Sequence, residues 1–443
     1  MKVLLILLAF LALLAGAAFL LVSPGGDDPG WTTDSDLARE QFEAGLADRG
    51  KLYLNDALEH FDRAAEADPD FLMPKVWLIL SRRYHPDYKG ATVELIEDLR
   101  QADLEAVTPL ERMLVGYVLA MVDRDYESGL ELVEGYLDEH PDDPFAVNLR
   151  CGRLWESQSW DAARTCYQRL AEIAPNQVEA QNRLGYIDMA QGRFEEAESQ
   201  FEIYRYLAPD QANPHDSMGE LLMVIGRYDE AEEEMRTALA MKPDFCASWR
   251  NLVILDLLRG DFDHADDVLA EARDRDGCPG DSLDPMPCAI DLWRHAEAGD
   301  WRQAWDGARA CSEKPSDPPL AYAAALAAGE AQPLEEEIAR LESQEVEEGR
   351  PRPYLEHLLA LRNLSRGDVA AAVEHGTTAD AGLRYWSGDW GLKLHNRRLT
   401  AAALEREGRG EEAAALRAEI QAVNPLFQDA FPIPIEEIAG APR

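Results

Sequence analysis

Four prolines, Pro141, Pro175, Pro209 and Pro243, stand 34 residues apart. A fixed period of that size marks stacked helical units that share one continuous core. Gly192, Gly226 and Gly260 keep the same step, as do Phe194, Tyr228 and Phe262, and Ala163, Ala197, Ala231 and Ala265. The spacing has a physical cause. A helix whose apolar residues recur at three and four must bury that stripe on a partner. Gly185 and Gly219 let the two helices of a block approach, and Ala197 and Ala231 fill the facing positions without forcing them apart. The later glycines end the first helix, where a left-handed backbone conformation is needed. Proline after the second helix stops it and sets the turn into the next block. Each block is too small to fold alone and stacks on its neighbours.

This combination of Gly, aromatic, Ala and Pro at 34-residue spacing resembles the tetratricopeptide repeat family. The resemblance is strongest over residues 110–277, where blocks begin in strict phase at Leu110, Pro144, Val178, Ala212 and Cys246. It implies an all-α fold, a right-handed superhelix (α-solenoid) of antiparallel helix pairs. The family's concave face, lined mainly by the first helix of each pair, commonly holds a peptide or an extended partner segment. Carried onto this sequence, the family's groove positions (2, 5, 9 and 12 of a block) nominate Asn148, Trp155, Asn182, Tyr186, Met189, Asn213, Met223 and Arg250, with Phe145, Asp216 and Glu220 among them. Asn can bond a peptide backbone whatever its sequence, while Met and aromatic rings adapt to varied apolar side chains. The family's clamp for a C-terminal carboxylate is only partly supplied by Asn148, Asn182 and Arg250, and Asp216 and Glu220 oppose an acidic ligand. A receptor for chaperone tails is therefore not expected.

Ahead of the repeats, Val3 to Val22 are uninterruptedly apolar, preceded by Lys2 and followed by an acidic, Gly- and Pro-rich stretch. About twenty such residues in a helix span the hydrocarbon core of a bilayer. The reading favoured is a transmembrane anchor or uncleaved signal over residues 1–22; cleavage near Ala15-Gly16-Ala17, releasing a soluble periplasmic or secreted protein, is the alternative. Positive charge only on the N-terminal flank places the repeats outside the cytoplasm, in the periplasm of a bacterium. The remaining boundaries expected are a flexible stalk at 23–35, the repeat array at 36–279, degenerate helical hairpins at 280–425, and an extended tail at 426–443. An insertion is expected at Ser81–Tyr88. A break is expected at Gly277–Pro287, where turn residues crowd.

The six cysteines can be buried thiols or three bridges. With each block numbered from its first residue, facing positions on its two helices sum to about 32. Cys151 and Cys166 fall at positions 8 and 23, Cys288 and Cys311 at 4 and 27, and Cys246 and Cys278 at 1 and 33. All three neighbouring pairs are thus at matched heights, a necessary condition for bridging. Bridges would in turn agree with an oxidising compartment.

Other chemistry is thin. With 84 acidic against 43 basic residues and a net charge of -41, nucleic acid is not an expected partner. The cluster Asp261 to Asp267 with His264 begins a second helix, where carboxylates suit the helix dipole, and the aspartates from Asp274 to Asp284 lack calcium-loop spacing. His375 and His395 show no pattern of a base beside a nucleophile. No catalytic residue, metal or cofactor is expected. The function expected is a non-catalytic adaptor tethered to the bacterial inner membrane, binding a protein or peptide in the repeat groove. Alternatives are an assembly component of an envelope polysaccharide or pilus machine, and an enzyme with its site in residues 283–443.

Overall fold

The computed structural model describes residues 30–82, 89–274, 278, 283–310, 315–344, 352–386, 389–427 and 434–440. These are all helix and connecting turns, with no strand among the described residues. The apolar segment 3–22 and nearly all of the expected insertion lie outside them. Among the described residues no helix is long and apolar enough to cross a membrane. The chain forms two compact units that divide after Arg183, within the helix Glu179–Ala190.

Unit 1 is built from four helix pairs: Asp36–Gly50 with Leu54–Ala67, Leu72–Arg82 with Lys89–Gln101, Pro109–Val122 with Tyr126–Glu139, and Pro144–Glu156 with Trp160–Ile173. Local chemistry sets their ends. Thr108 and Glu111 form a reciprocal capping box around Pro109, satisfying amides that the first turn leaves orphaned. Asp143 caps the helix that opens with Pro144. The repeat period appears directly in the second helices, which begin at Tyr126, Trp160, Phe194, Tyr228 and Phe262. At Arg124 and Gln158, where later blocks place glycine, the backbone is still left-handed, with φ of 62° and 56°.

One crossing recurs through both units. A Cβ added to Gly45 would lie 2.5 Å from the Phe61 ring, and one added to Gly185 would lie 2.4 Å from the Phe201 ring. Gly219 meets Met235 at 2.9 Å, and Gly116 meets Leu132 at 2.9 Å. In the block from Pro144 the same height is held by Cys151 and Cys166, bridged with a Cα separation of 5.4 Å. In these blocks glycine or a disulfide allows the close approach, whereas the block from Cys246 has the buried Val253 at this height.

Unit 2 continues with Phe194–Leu207, then Ala212–Val224 with Tyr228–Met241 and Cys246–Arg259 with Phe262–Arg273. Four further pairs follow: Met286–Glu297 with Trp301–Ala308, Pro318–Ala327 with Gln332–Glu342, Pro353–Arg366 with Val369–Gly382, and Asp389–Arg406 with Gly410–Val423. The expected domain boundary at residues 277–287 does not separate compact units. Arg294 reaches back to the Phe262 carbonyl and to Asp266, and Cys246 and Cys278 are bridged. Cys288 is buried, and its expected partner Cys311 lies outside the described residues.

The two ends of the chain differ from expectation. Residues 30–35, assigned to a flexible stalk, are packed: the Trp31 indole is 4% exposed. The tail is not simply extended. Phe427 is fully buried against Trp390, and Ile435–Gly440 forms a short helix with Ile438 buried. Pro434 supplies the carbonyl that accepts from the Ile438 amide, so proline here starts a helix in the position where its missing N–H does no harm.

The two described bridges generate a prediction. Alkylation under denaturing, non-reducing conditions should leave Cys151, Cys166, Cys246 and Cys278 unmodified in an intact-mass measurement. Closing the 15-residue separation between Cys151 and Cys166 should contribute about 3 kcal/mol of stability that reduction removes. Alkylation at these four positions before reduction would contradict the pairing.

Candidate functional site

The groove residues nominated from the sequence fall into three groups. In unit 1, Asn148 donates its amide to Glu179 Oε2 at 3.2 Å. Trp155 is 8% exposed, edge-on to Trp160 at 5.5 Å, and carries the Arg183 guanidinium 5.1 Å from its ring centre. Burial pushes the Glu179 carboxyl up, but the nearby Arg183 and Arg49 guanidinium groups and the Asn148 amide outweigh it, and the net shift is downward. Asn182 is buried in the same region. This cluster links the helices Pro144–Glu156 and Glu179–Ala190 through the Asn148–Glu179 hydrogen bond.

In unit 2, Met189, Asn213 and Met223 are 0%, 3% and 1% exposed and do not face an open groove, which corrects their assignment. The Asn213 amide is donated to the Tyr204 hydroxyl at 2.9 Å. The Met223 and Val224 carbonyls accept from Asn424 Nδ2, which also reaches the Tyr228 hydroxyl. Asn424 and Pro425 lie over Gly226, and Tyr385 lies over Gly192 and against Phe194. Chain from the C-terminal pairs therefore covers the turns that follow the first helices.

Tyr186 and Arg250 stand differently. The half-buried Tyr186 donates its hydroxyl to Glu220 Oε2 at 2.9 Å, with Ser217 Oγ at 3.4 Å. One block further on, the Ser248 hydroxyl donates to Asp216 Oδ1 at 2.7 Å and the Asn251 amide reaches the same oxygen at 3.4 Å. Arg250 is exposed beside them. These bonds join residues 31, 34, 32 and 35 apart, so a polar ladder climbs the first helices of three successive blocks at the repeat step. Ser217, Ser248 and Asn251 were not nominated; their signal is that they stand within a few residues of one repeat step from a carboxylate or phenol already on the face.

Burial dominates the electrostatics of the ladder. It pushes the Tyr186 phenol well above its ordinary value, aided by Glu220 and Asp216, so the hydroxyl remains a donor. It also pushes the Asp216 carboxyl up to about 6, against the Ser248 hydrogen bond that favours the charged form, with Glu220 adding to the rise. Asp216, Ser248 and Asn251 are buried, at 4%, 0% and 5% exposed, whereas Tyr186 and Glu220 are partly exposed and Arg250 is exposed. Elsewhere, His375 pairs with Glu356 at 2.7 Å and His264 with Asp256 at 2.9 Å. No group of three or more potential metal ligands occurs among the described residues.

No protein-family model and no curated protein matches the chain. Solved structures similar to it include PilW, a type IV pilus biogenesis factor, at 18% identity over 43% of this chain and 86% of that one, with a TM-score of 0.36. A tetratricopeptide repeat protein from Parabacteroides merdae is 16% identical over 61% of this chain and 90% of its own, with a TM-score of 0.35. The anaphase-promoting complex assembly Cut9-Hcn1 is 12% identical over 90% of this chain and 77% of its own, with a TM-score of 0.49. At these values the likeness is one of helical-repeat architecture and carries nothing about partner or pathway.

The raised pKa of Asp216 generates a test of the ladder. A carboxyl whose folded pKa lies above its ordinary 3.8 binds its proton more tightly in the native state. The ionised form then costs stability above about pH 6, and the cost fades as pH falls toward 4. Asp216→Asn keeps an acceptor for Ser248 and Asn251. It should stabilise the protein at pH 7.5 by up to about 3 kcal/mol, with the gain falling by more than half at pH 4.5. A pH-independent difference in melting temperature would contradict the assignment.

Proposed function

We propose that the chain is a non-catalytic, protein-binding scaffold whose first helices in residues 179–259 grip an extended segment of a partner. The observation that carries this reading is the ladder itself. Tyr186 and Glu220 stand one 34-residue step apart and are bonded, Arg250 is exposed in the next block, and the buried Asp216, Ser248 and Asn251 are bonded to one another within the same helices; a stepped row of polar groups matches the periodic backbone of an extended chain. Glu220 favours a segment that brings donors, either backbone amides or Lys and Arg side chains.

The location proposed is the outer face of the bacterial inner membrane, with the apolar residues 3–22 as the anchor. Its support is the charge asymmetry around that segment, together with two cysteine pairs at bridging distance, which persist in oxidising compartments.

A photo-crosslinking residue placed at Arg250 in the membrane-embedded protein tests the grip. Capture of a partner is expected, and Glu220→Ala or Tyr186→Phe should reduce it at least fivefold without lowering the amount of folded protein. Undiminished capture in both variants would remove the ladder from the binding surface.

A further inference from the structure

In unit 1 the segment before the first helix is bound as a ligand is bound. The Trp31 indole is inserted edge-on between Phe42, with ring centres 5.0 Å apart, and Phe145, at 5.7 Å. Thr32 uses both its donors on one carboxylate: its amide reaches Glu111 Oε1 at 2.9 Å and its hydroxyl Glu111 Oε2 at 2.5 Å. The Thr33 hydroxyl donates to Asp68 Oδ2 at 2.5 Å. Arg39 Nη2 donates to the Thr33 carbonyl at 2.9 Å and lies 3.4 Å from the Trp31 carbonyl.

Three features separate this from ordinary N-terminal packing. Backbone amide and carbonyl groups of the strap are read by side chains of the array, which is how a groove recognises an extended chain of any origin. Glu111 and Phe145 are 34 residues apart and occupy the same position in successive blocks, so the strap runs across the first helices in step with the repeat. Glu111, 1% exposed, is also held by the Thr108 amide and hydroxyl. The acceptor that meets Thr32 is therefore built into a helix cap of the array and is already oriented without the strap.

We propose that this inner face of unit 1 is a site for an extended segment carrying an indole followed by two hydroxyl side chains, and that Trp31–Thr33 fill it in cis as a built-in competitor. Phe42 and Phe145 form the aromatic pocket, Glu111 and Asp68 read the hydroxyls, and Arg39 reads the backbone. A partner segment of the same chemistry gains access when the strap withdraws. Covalent attachment gives the strap an effective concentration on the order of millimolar, so a segment in trans competes poorly until then. The site is separate from the ladder on residues 186–251, and its test does not depend on that reading.

The test uses the full chain in detergent and a fluorescein-labelled peptide of residues 29–35, Pro-Gly-Trp-Thr-Thr-Asp-Ser. Trp31→Ala is expected to bind this peptide at least tenfold more tightly than the wild type and to gain thermal stability from it. A control peptide with Ala in place of Trp should do neither. The doubly substituted Thr32→Val, Thr33→Val chain, which keeps the strap's bulk but loses its hydroxyl bonds, provides the same comparison if Trp31→Ala fails to fold. It should bind the peptide more tightly than the wild type. Equal binding to the folded variant and the wild type, or equal binding of the two peptides, would overturn the proposal and leave the strap a fixed cap.

Discussion

In four blocks of this array the two helices cross at a close approach that a missing side chain or a covalent bond allows. At the crossing, position 8 of the first helix meets position 23 or 24 of the second. Gly45 faces Phe61, Gly185 faces Phe201, Gly219 faces Met235, and Cys151 is bonded to Cys166. Glycine in a helix interior costs roughly 1 kcal/mol against alanine. The contact recovers this, because a large ring laid over the bare backbone buries apolar area worth about 2–3 kcal/mol. The disulfide reaches the same separation by covalent means. Both solutions hold the two helices of a block close together.

Large side chains on the first helices, such as Met189 and Met223, are buried. What reaches the surface is polar: Tyr186, Glu220 and Arg250 in unit 2, Asn148 and Glu179 in unit 1. Each unit also uses its own chain as filler. Trp31 enters the aromatic cluster of Phe42 and Phe145, while Asn424 and Tyr385 cover the turns at Gly226 and Gly192. The side chains left exposed are thus fewer and more polar than the sequence pattern alone suggests.

What could be read from the sequence was whatever the period encodes. The helix pairs, the glycine crossings and the cysteine pairs 151–166 and 246–278 all lie within one block step, so position numbers alone bring them together. Contacts outside the step carry no such signal. Asn424 meets the Met223 carbonyl across 201 residues, and nothing in its neighbourhood marks it. Trp31 precedes the first block and has no counterpart in any other, so a Gly- and Pro-rich context read as a stalk. Pro432 and Pro434 argued against a helix, yet the second of them opens one. Arg124 and Gln158 show the opposite failure: the left-handed turn persists without its glycine because the stacked helices on either side impose it.

The close crossing is tested most directly at Gly185. Helix propensity favours Gly185→Ala by about 1 kcal/mol, whereas the new Cβ would stand 2.4 Å from the Phe201 ring, an overlap of the kind that costs about 1–3 kcal/mol. Chemical denaturation of Gly185→Ala, Phe201→Leu and the double variant separates the two effects. The account predicts that Gly185→Ala destabilises the wild type and that this penalty shrinks or reverses in the Phe201→Leu background. A neutral or stabilising Gly185→Ala in the wild type, with no coupling to position 201, would contradict it.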